Sequence, residues 1–113
     1  MKAVVYNREA KPYRLVLREV EKPFPKDDEV LVSIRAASVN AADYRSMKMG
    51  IIPARKILGA DISGVVESAG KNVKLFRPGD EVVGDLSGCG FGGFADFALA
   101  TEKALVHKPG HHL

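Results

Sequence analysis

One stretch constrains this chain more than any other: Leu58-Gly59-Ala60-Asp61-Ile62-Ser63-Gly64-Val65-Val66-Glu67-Ser68-Ala69-Gly70. Ile62, Gly64 and Val66 alternate with Asp61, Ser63, Val65 and Glu67, a period near two that marks a buried strand. Gly59, Gly64 and Gly70 leave room where other backbone comes close. A short loop, Lys71 to Lys74, leads to Arg77-Pro78-Gly79-Asp80-Glu81-Val82-Val83-Gly84, where Pro and Gly set a turn that feeds a second strand.

Further strands flank this pair. Residues 1–6 alternate weakly and read as an opening strand, and Asn7 to Pro12 is a polar turn. Tyr13 to Val20 alternates again, with Leu15 and Leu17 on one face and Val16 and Arg18 on the other, which predicts a hairpin. Glu21 to Asp28 carries Pro23 and Pro25, which cannot join a central ladder, so it is a loop. Glu29 to Val39 is a strand with Val30, Val32, Ile34 and Ala36 facing one way and Leu31, Ser33 and Arg35 the other.

Asn40 to Met49 changes period. Asn40 is a good helix N-cap, Asp43 meets the positive end of the helix dipole, and Gly50 can close the helix. Ile51 to Lys56 is a loop around Pro53. A glycine-rich segment, Gly84 to Gly93, precedes a strand from Phe94 to Ala100. Ala104 to His107 is a last short strand, ended by Pro109-Gly110. Many short strands with one short helix predict a β-barrel-like fold.

Bulk properties narrow the function classes. The chain has 113 residues, enough for one domain, and 46% hydrophobic residues argue against disorder. Lys and Arg number 17 against 14 Asp and Glu, scattered without a long run of one sign, which speaks against a nucleic-acid footprint. No apolar run approaches the roughly 20 residues of a membrane span. The opening strand is too short and too soon polar for a signal peptide. A single cysteine excludes an internal disulfide, so the expected location is cytoplasmic.

The order of motifs, L-G-x-D-x-x-G-V-V-x-x-x-G followed by P-G-D-x-V, resembles the N-terminal, GroES-like domain of the medium-chain dehydrogenase/reductase superfamily. The zinc-free, quinone oxidoreductase-like branch fits best, and the resemblance covers nearly the whole chain. It implies a mainly β fold: a GroES-like, partly open β-barrel with one or two short helices, spanning residues 1–113 as the catalytic, substrate-side domain. It also implies a Rossmann nucleotide-binding domain outside these residues, a homo-oligomer, NADPH as the cofactor of the complete enzyme, and none bound by this stretch alone. The substrate class it implies is a quinone or an α,β-unsaturated carbonyl.

The same resemblance points to site residues. Zinc-dependent relatives carry a Cys ligand where this chain has Asn40 and a Gly-His-Glu run where it has Gly59-Ala60-Asp61. Their structural zinc lobe needs four cysteines, and only Cys89 is present. An amide is a poor zinc ligand where a thiolate is expected, so no zinc is expected. In zinc-free relatives the Asn lies beside the nicotinamide and the substrate carbonyl, where its amide can polarise that carbonyl as hydride arrives. Tyr44 is a second candidate that could offer its hydroxyl, and Arg45 and Ile51 are placed along the substrate cleft. Each has a plainer reading: Asn40 as a helix cap, Tyr44 as an aromatic packed under the helix, Asp43 as a helix-terminus carboxylate. Asp61 reads as structural, paired with Arg45 or Arg35.

Gly88-Cys89-Gly90-Phe91-Gly92-Gly93 matches G-x-G-x-x-G by letter, but a strand-like segment follows rather than a helix, so it is not a dinucleotide fingerprint. The family places a loop beside the cleft here. Cys89 reads as an unactivated thiol, and His107, His111 and His112 as a terminal tail rather than a metal tract. The competing reading is a non-catalytic GroES-like binding or assembly module, although the chain lacks the N-terminal mobile loop of co-chaperonins and keeps the run Asn40 to Arg45. A weak nucleic-acid binder is a third.

Overall fold

A computed structural model describes residues 1–7, 14–38, 57, 59–87 and 92–108. The helix predicted over Asn40–Met49, the candidates Asn40, Tyr44, Arg45 and Ile51, and Cys89, His111 and His112 lie outside the described residues.

Seven strands are described: β1 (Lys2–Asn7), β2 (Arg14–Glu19), β3 (Glu29–Ser38), β4 (Asp61–Ala69), β5 (Glu81–Asp85), β6 (Phe97–Thr101) and β7 (Leu105–His107). A 3-10 turn, Glu102–Ala104, joins the last two. The β1 and β2 strands form the predicted antiparallel hairpin, in register from Lys2 opposite Glu19 to Asn7 opposite Arg14. The other five form one antiparallel sheet in the order β6-β3-β4-β5-β7. The architecture is mainly β, with open sheets that do not close into a full barrel.

The stretch that opened the sequence analysis is the middle of this sheet. Alternation along β4 follows the predicted pattern: Ile62, Gly64 and Val66 are buried, and Asp61 and Glu67 are exposed. Ile62 and Val66 join Val30, Val32, Phe76, Val82, Leu86, Ala98, Ala100 and Leu105 in one core cluster on the inner face. At roughly 25 cal/mol per Å² of apolar area removed from water, this cluster is the main favourable term of the fold.

One face departs from the expectation. In β3, Ile34 pairs with Gly64 and Ala36 with Ser63, so Arg35 is an extra residue in a β-bulge. Beyond it the faces swap, and Ala36 lies exposed instead of continuing the Val30–Val32–Ile34 row. In β2, Leu17 is exposed and Val16 half-buried.

The strand β6 starts later than predicted, at Phe97 rather than Phe94. Phe94 to Asp96 is used instead to dock the hairpin. The Phe94 carbonyl accepts the Val4 amide at 2.7 Å, and Asp96 N donates to the Lys2 carbonyl at 2.9 Å. The Asp96 carboxylate in turn accepts the Lys2 amide at 2.8 Å, and Ala95 bridges Ala3. The Pro-Gly-Asp turn closes as its residues dictate. Gly79 has φ 96°. The Asp80 side chain accepts the Arg77 amide at 2.9 Å, and Gly79 N donates to the Val66 carbonyl at 2.8 Å.

Candidate functional site

The register brings three strand ends together. Ser38, at the end of β3, lies opposite Asp61 at the start of β4, and Asp61 lies opposite Asp85 at the end of β5. The segment carrying Asn40, Tyr44, Arg45 and Ile51 leaves the described structure after Ser38. It re-enters at Ile57, which bridges Val5, and at Gly59, two residues before Asp61. Both attachments of that segment lie at this end of the molecule.

A wall of short backbone links frames the same end. Leu86 N donates to the Ala60 carbonyl at 2.7 Å, and Gly93 N donates to the Gly59 carbonyl at 2.9 Å. Gly59 has φ 109°, and a Cβ there would lie 2.7 Å from the Phe94 nitrogen and 2.8 Å from its ring. A Cβ on Gly93 would meet the Gly59 carbonyl oxygen at 2.8 Å. Two glycines therefore let the segments 59–60 and 92–94 touch backbone to backbone. Behind them Leu86 is completely buried and anchors the wall to the core.

Among the described residues, two carboxylates, Asp61 and Asp85, meet at this end. Asp61 and Asp85 are both exposed and directly cross-strand, an arrangement that costs stability unless each carboxylate is satisfied. Asp85 is satisfied locally. The Ser87 backbone N–H, at 2.9 Å, and the Ser87 hydroxyl hydrogen-bond its carboxylate and hold it below the ordinary carboxylate range. The expected partners of Asp61 are Arg35 and Arg45. Asp61 lines a shallow depression with Ala36, Ala37, Ile62 and Ser63, whereas Arg35 lines another with Val65, Asp80, Glu81, His107 and Lys108. Arg45, the other partner named, is outside the described residues.

Zinc does not fit the described part of the site. Ala60 occupies the position of the expected histidine, is 1% exposed, and offers only a methyl group. Among the described residues no group of three or more His, Cys, Asp or Glu side chains could hold a metal ion. The described residues that follow the glycine run, Gly92 to Thr101, lead into β6 and form no helix, so they offer no helix N-terminus to a pyrophosphate. No helix among the described residues is long and apolar enough to cross a membrane.

Sequence reasoning missed Asp85 with Ser87 and the contact of Phe94 with Gly59. Register across strands was the absent signal for the first. The paired glycines at 59 and 93 were a visible signal for the second.

Comparison with known proteins agrees with this geometry. Residues 26–110 match the alcohol dehydrogenase GroES-like domain. The chain is 43% identical over 96 residues to a chloroplast envelope quinone oxidoreductase homolog of Arabidopsis thaliana, covering 80% of this chain and 29% of that protein. Among solved structures, an alcohol dehydrogenase superfamily protein from Novosphingobium aromaticivorans superposes with a TM-score of 0.77 at 33% identity, over 96% of this chain and 34% of that one. The quinone oxidoreductase from Coxiella burnetii gives 0.76 at 25% identity, over 100% of this chain and 38% of that one. The chain belongs to the alcohol dehydrogenase GroES-like domain family, on the quinone oxidoreductase-like side of the medium-chain dehydrogenase/reductase superfamily. It spans under a third of the length of the Arabidopsis relative.

Proposed function

We propose that residues 1–113 are the substrate-side domain of a zinc-independent oxidoreductase that transfers hydride from NADPH to a quinone or an α,β-unsaturated carbonyl. The observation that carries this reading is the convergence of Ser38, Asp61 and Asp85 at one end of the sheet, beside the Gly59–Gly93 contact, where the Asn40–Ile51 segment is attached.

In this reading the Asn40 amide donates a hydrogen bond to the substrate carbonyl, where negative charge develops as hydride adds to the conjugated system. The Tyr44 hydroxyl is a second donor, and Arg45 and Ile51 bound the cleft. The nicotinamide supplies the hydride, and this domain orients the acceptor and excludes water from it. The nucleotide-binding domain lies outside these residues, so the domain alone binds the acceptor weakly and does not turn it over.

A titration of the ¹⁵N-labelled chain with 2-cyclohexenone, followed by amide chemical shifts, tests this. The expected result is shifts at Asn40 to Ile51 and at the adjoining Asp61, Asp85 to Ser87 and Gly92 to Phe94. Shifts centred on Asp80 and His107 instead, or none at the sheet end up to the solubility of the enone, would remove the reading.

A further inference from the structure

The hairpin meets the rest of the chain along one edge of β1, and two different segments share that edge. Lys2 N donates to the Asp96 carboxylate at 2.8 Å, the Lys2 carbonyl accepts Asp96 N at 2.9 Å, and Val4 N donates to the Phe94 carbonyl at 2.7 Å. Ala3 and Val5 therefore direct their backbone groups to β2. Toward the shared edge they form pairs without backbone bonds, the kind with the closest Cα approach. Ala3 pairs in this way with Ala95, but Val5 pairs with Ile57. Between Lys2 and Val5 the edge passes from the wall before β6 to the residue where the segment carrying Asn40 returns.

Asp96 ties this edge to the main sheet. The β3–β6 ladder ends at Ser33 opposite Phe97, and Ile34 N then donates to the Asp96 carbonyl at 2.8 Å. Arg35 bulges directly after that bond, and β3 runs on to Ser38, where the same segment departs. Asp96 thus gives its N–H and its carboxylate to β1 and its carbonyl to β3. Its carboxylate caps no local turn, because the amide it accepts lies 94 positions away in the chain.

We propose that Asp96 is a positioning residue of the site. Through it β1 acts as a spacer that fixes Ser38 relative to Ile57, the two points between which the candidate segment is held. The start of that segment is referenced to Asp96 through β3, and its return is referenced to the same residue through β1. The functional meaning of this spacing rests on the role proposed above for Asn40 and Tyr44; the spacing itself does not. A hydrogen bond between exposed groups contributes little to folding. A misplacement of about 1 Å remote from the chemistry can nonetheless cost about a hundredfold in rate. A clamp of small weight in stability therefore carries a large weight in geometry.

NMR of the labelled chain, with and without 2-cyclohexenone, tests this. Without enone, the unaltered chain is expected to show an Hα–Hα NOE between Val5 and Ile57. D96A is expected to weaken that NOE and to move the amide signals of Asn40 to Ile51, while those of β4 stay in place. D96N keeps an acceptor oxygen toward the Lys2 amide and is expected to restore both. N72A removes a hydrogen bond between exposed groups at the other end of the sheet and is expected to change neither. With enone, D96A is expected to raise the titration midpoint several-fold and D96N to return it. A D96A chain that keeps the NOE and the Asn40 to Ile51 signals at their unaltered positions overturns the proposal, as does a D96N chain that behaves like D96A. An unaltered chain with no enone response removes the substrate reading alone, because the NOE and the signal positions are read without ligand.

Discussion

The two ends of the five-stranded sheet are built in different ways. At the end away from the candidate site, backbone meets backbone in a dense set of straps. Gly70 N donates to the Glu29 carbonyl at 2.8 Å, Asn72 N to the Asp27 carbonyl at 2.9 Å, and Glu29 N to the Lys26 carbonyl at 3.0 Å. The Asn72 side chain adds a bond to Asp28, and the His107 ring donates to the Leu75 carbonyl while packing on Phe76. At the site end the strands finish in carboxylates, and the wall rests on the contact between the Gly59 and Gly93 backbones. One end is organised for rigidity. The other sets Asp61 and Asp85 beside the attachment points of the segment that carries the candidate residues. The difference is that of a scaffold and the site it supports.

Breaking the scaffold end should produce the largest effect. A Cβ on Gly70 would run into the carbonyls of Lys26 and Asp27, which are backbone and cannot move aside cheaply. G70A is expected to cost about 3 kcal/mol, the upper part of the usual overpacking range, read as a lower midpoint in urea unfolding. At the site end G59A meets both a positive φ and the Phe94 ring, and a cost of about 2 kcal/mol is expected. It should also displace Phe94, so the enone-induced shifts at Gly92 to Phe94 should disappear while those of G70A, wherever it remains folded, persist. A loss of the enone response in folded G70A with none in G59A would dissolve the distinction between the ends.

Smaller effects sharpen it. D96A removes the carboxylate that accepts the Lys2 amide, a hydrogen bond between exposed groups worth about 1 kcal/mol. It should loosen the hairpin selectively, seen as faster amide exchange in β1 and β2 and unchanged exchange in β4. The smallest effect is expected from acid. The Asp85 carboxylate is held below its ordinary value by Ser87, so it favours the folded state above the unfolded carboxylate pKa. That contribution is lost as pH falls below about 4, through the depressed folded value. In thermal melts, D85N should show a slightly shallower loss of Tm in that window than the unaltered chain, and an identical profile would remove the assignment.

Much of the scaffold was legible in the sequence because burial imposes a period. The alternation of Ile62, Gly64 and Val66 located the central strand, and Pro78-Gly79-Asp80 located its turn, since each residue there has one conformational job. The face of Ala36 was not legible. A bulge at Arg35 shifts register without altering the local pattern of residue types, and only pairing with β4 reveals it. Phe94 misled for a related reason: Phe94 to Asp96 looks like strand because it does pair, with β1 along its length and with β3 only at Asp96, whose carbonyl accepts the Ile34 amide. The juxtaposition of Asp61 with Asp85 depends on long-range register, which no local spacing encodes. Asn40, Tyr44, Arg45 and Ile51 rest on family resemblance, and they lie outside the described residues.

The central claim is that this domain serves the substrate side and leaves the nucleotide to another domain. Titration of the 113-residue chain with NADPH, followed by nucleotide fluorescence at several protein concentrations, tests it most directly. The account predicts no saturable binding up to millimolar nucleotide, because among the described residues no helix follows the glycine run to receive a pyrophosphate. Saturable binding at micromolar nucleotide would contradict it and make that glycine run a cofactor site in its own right.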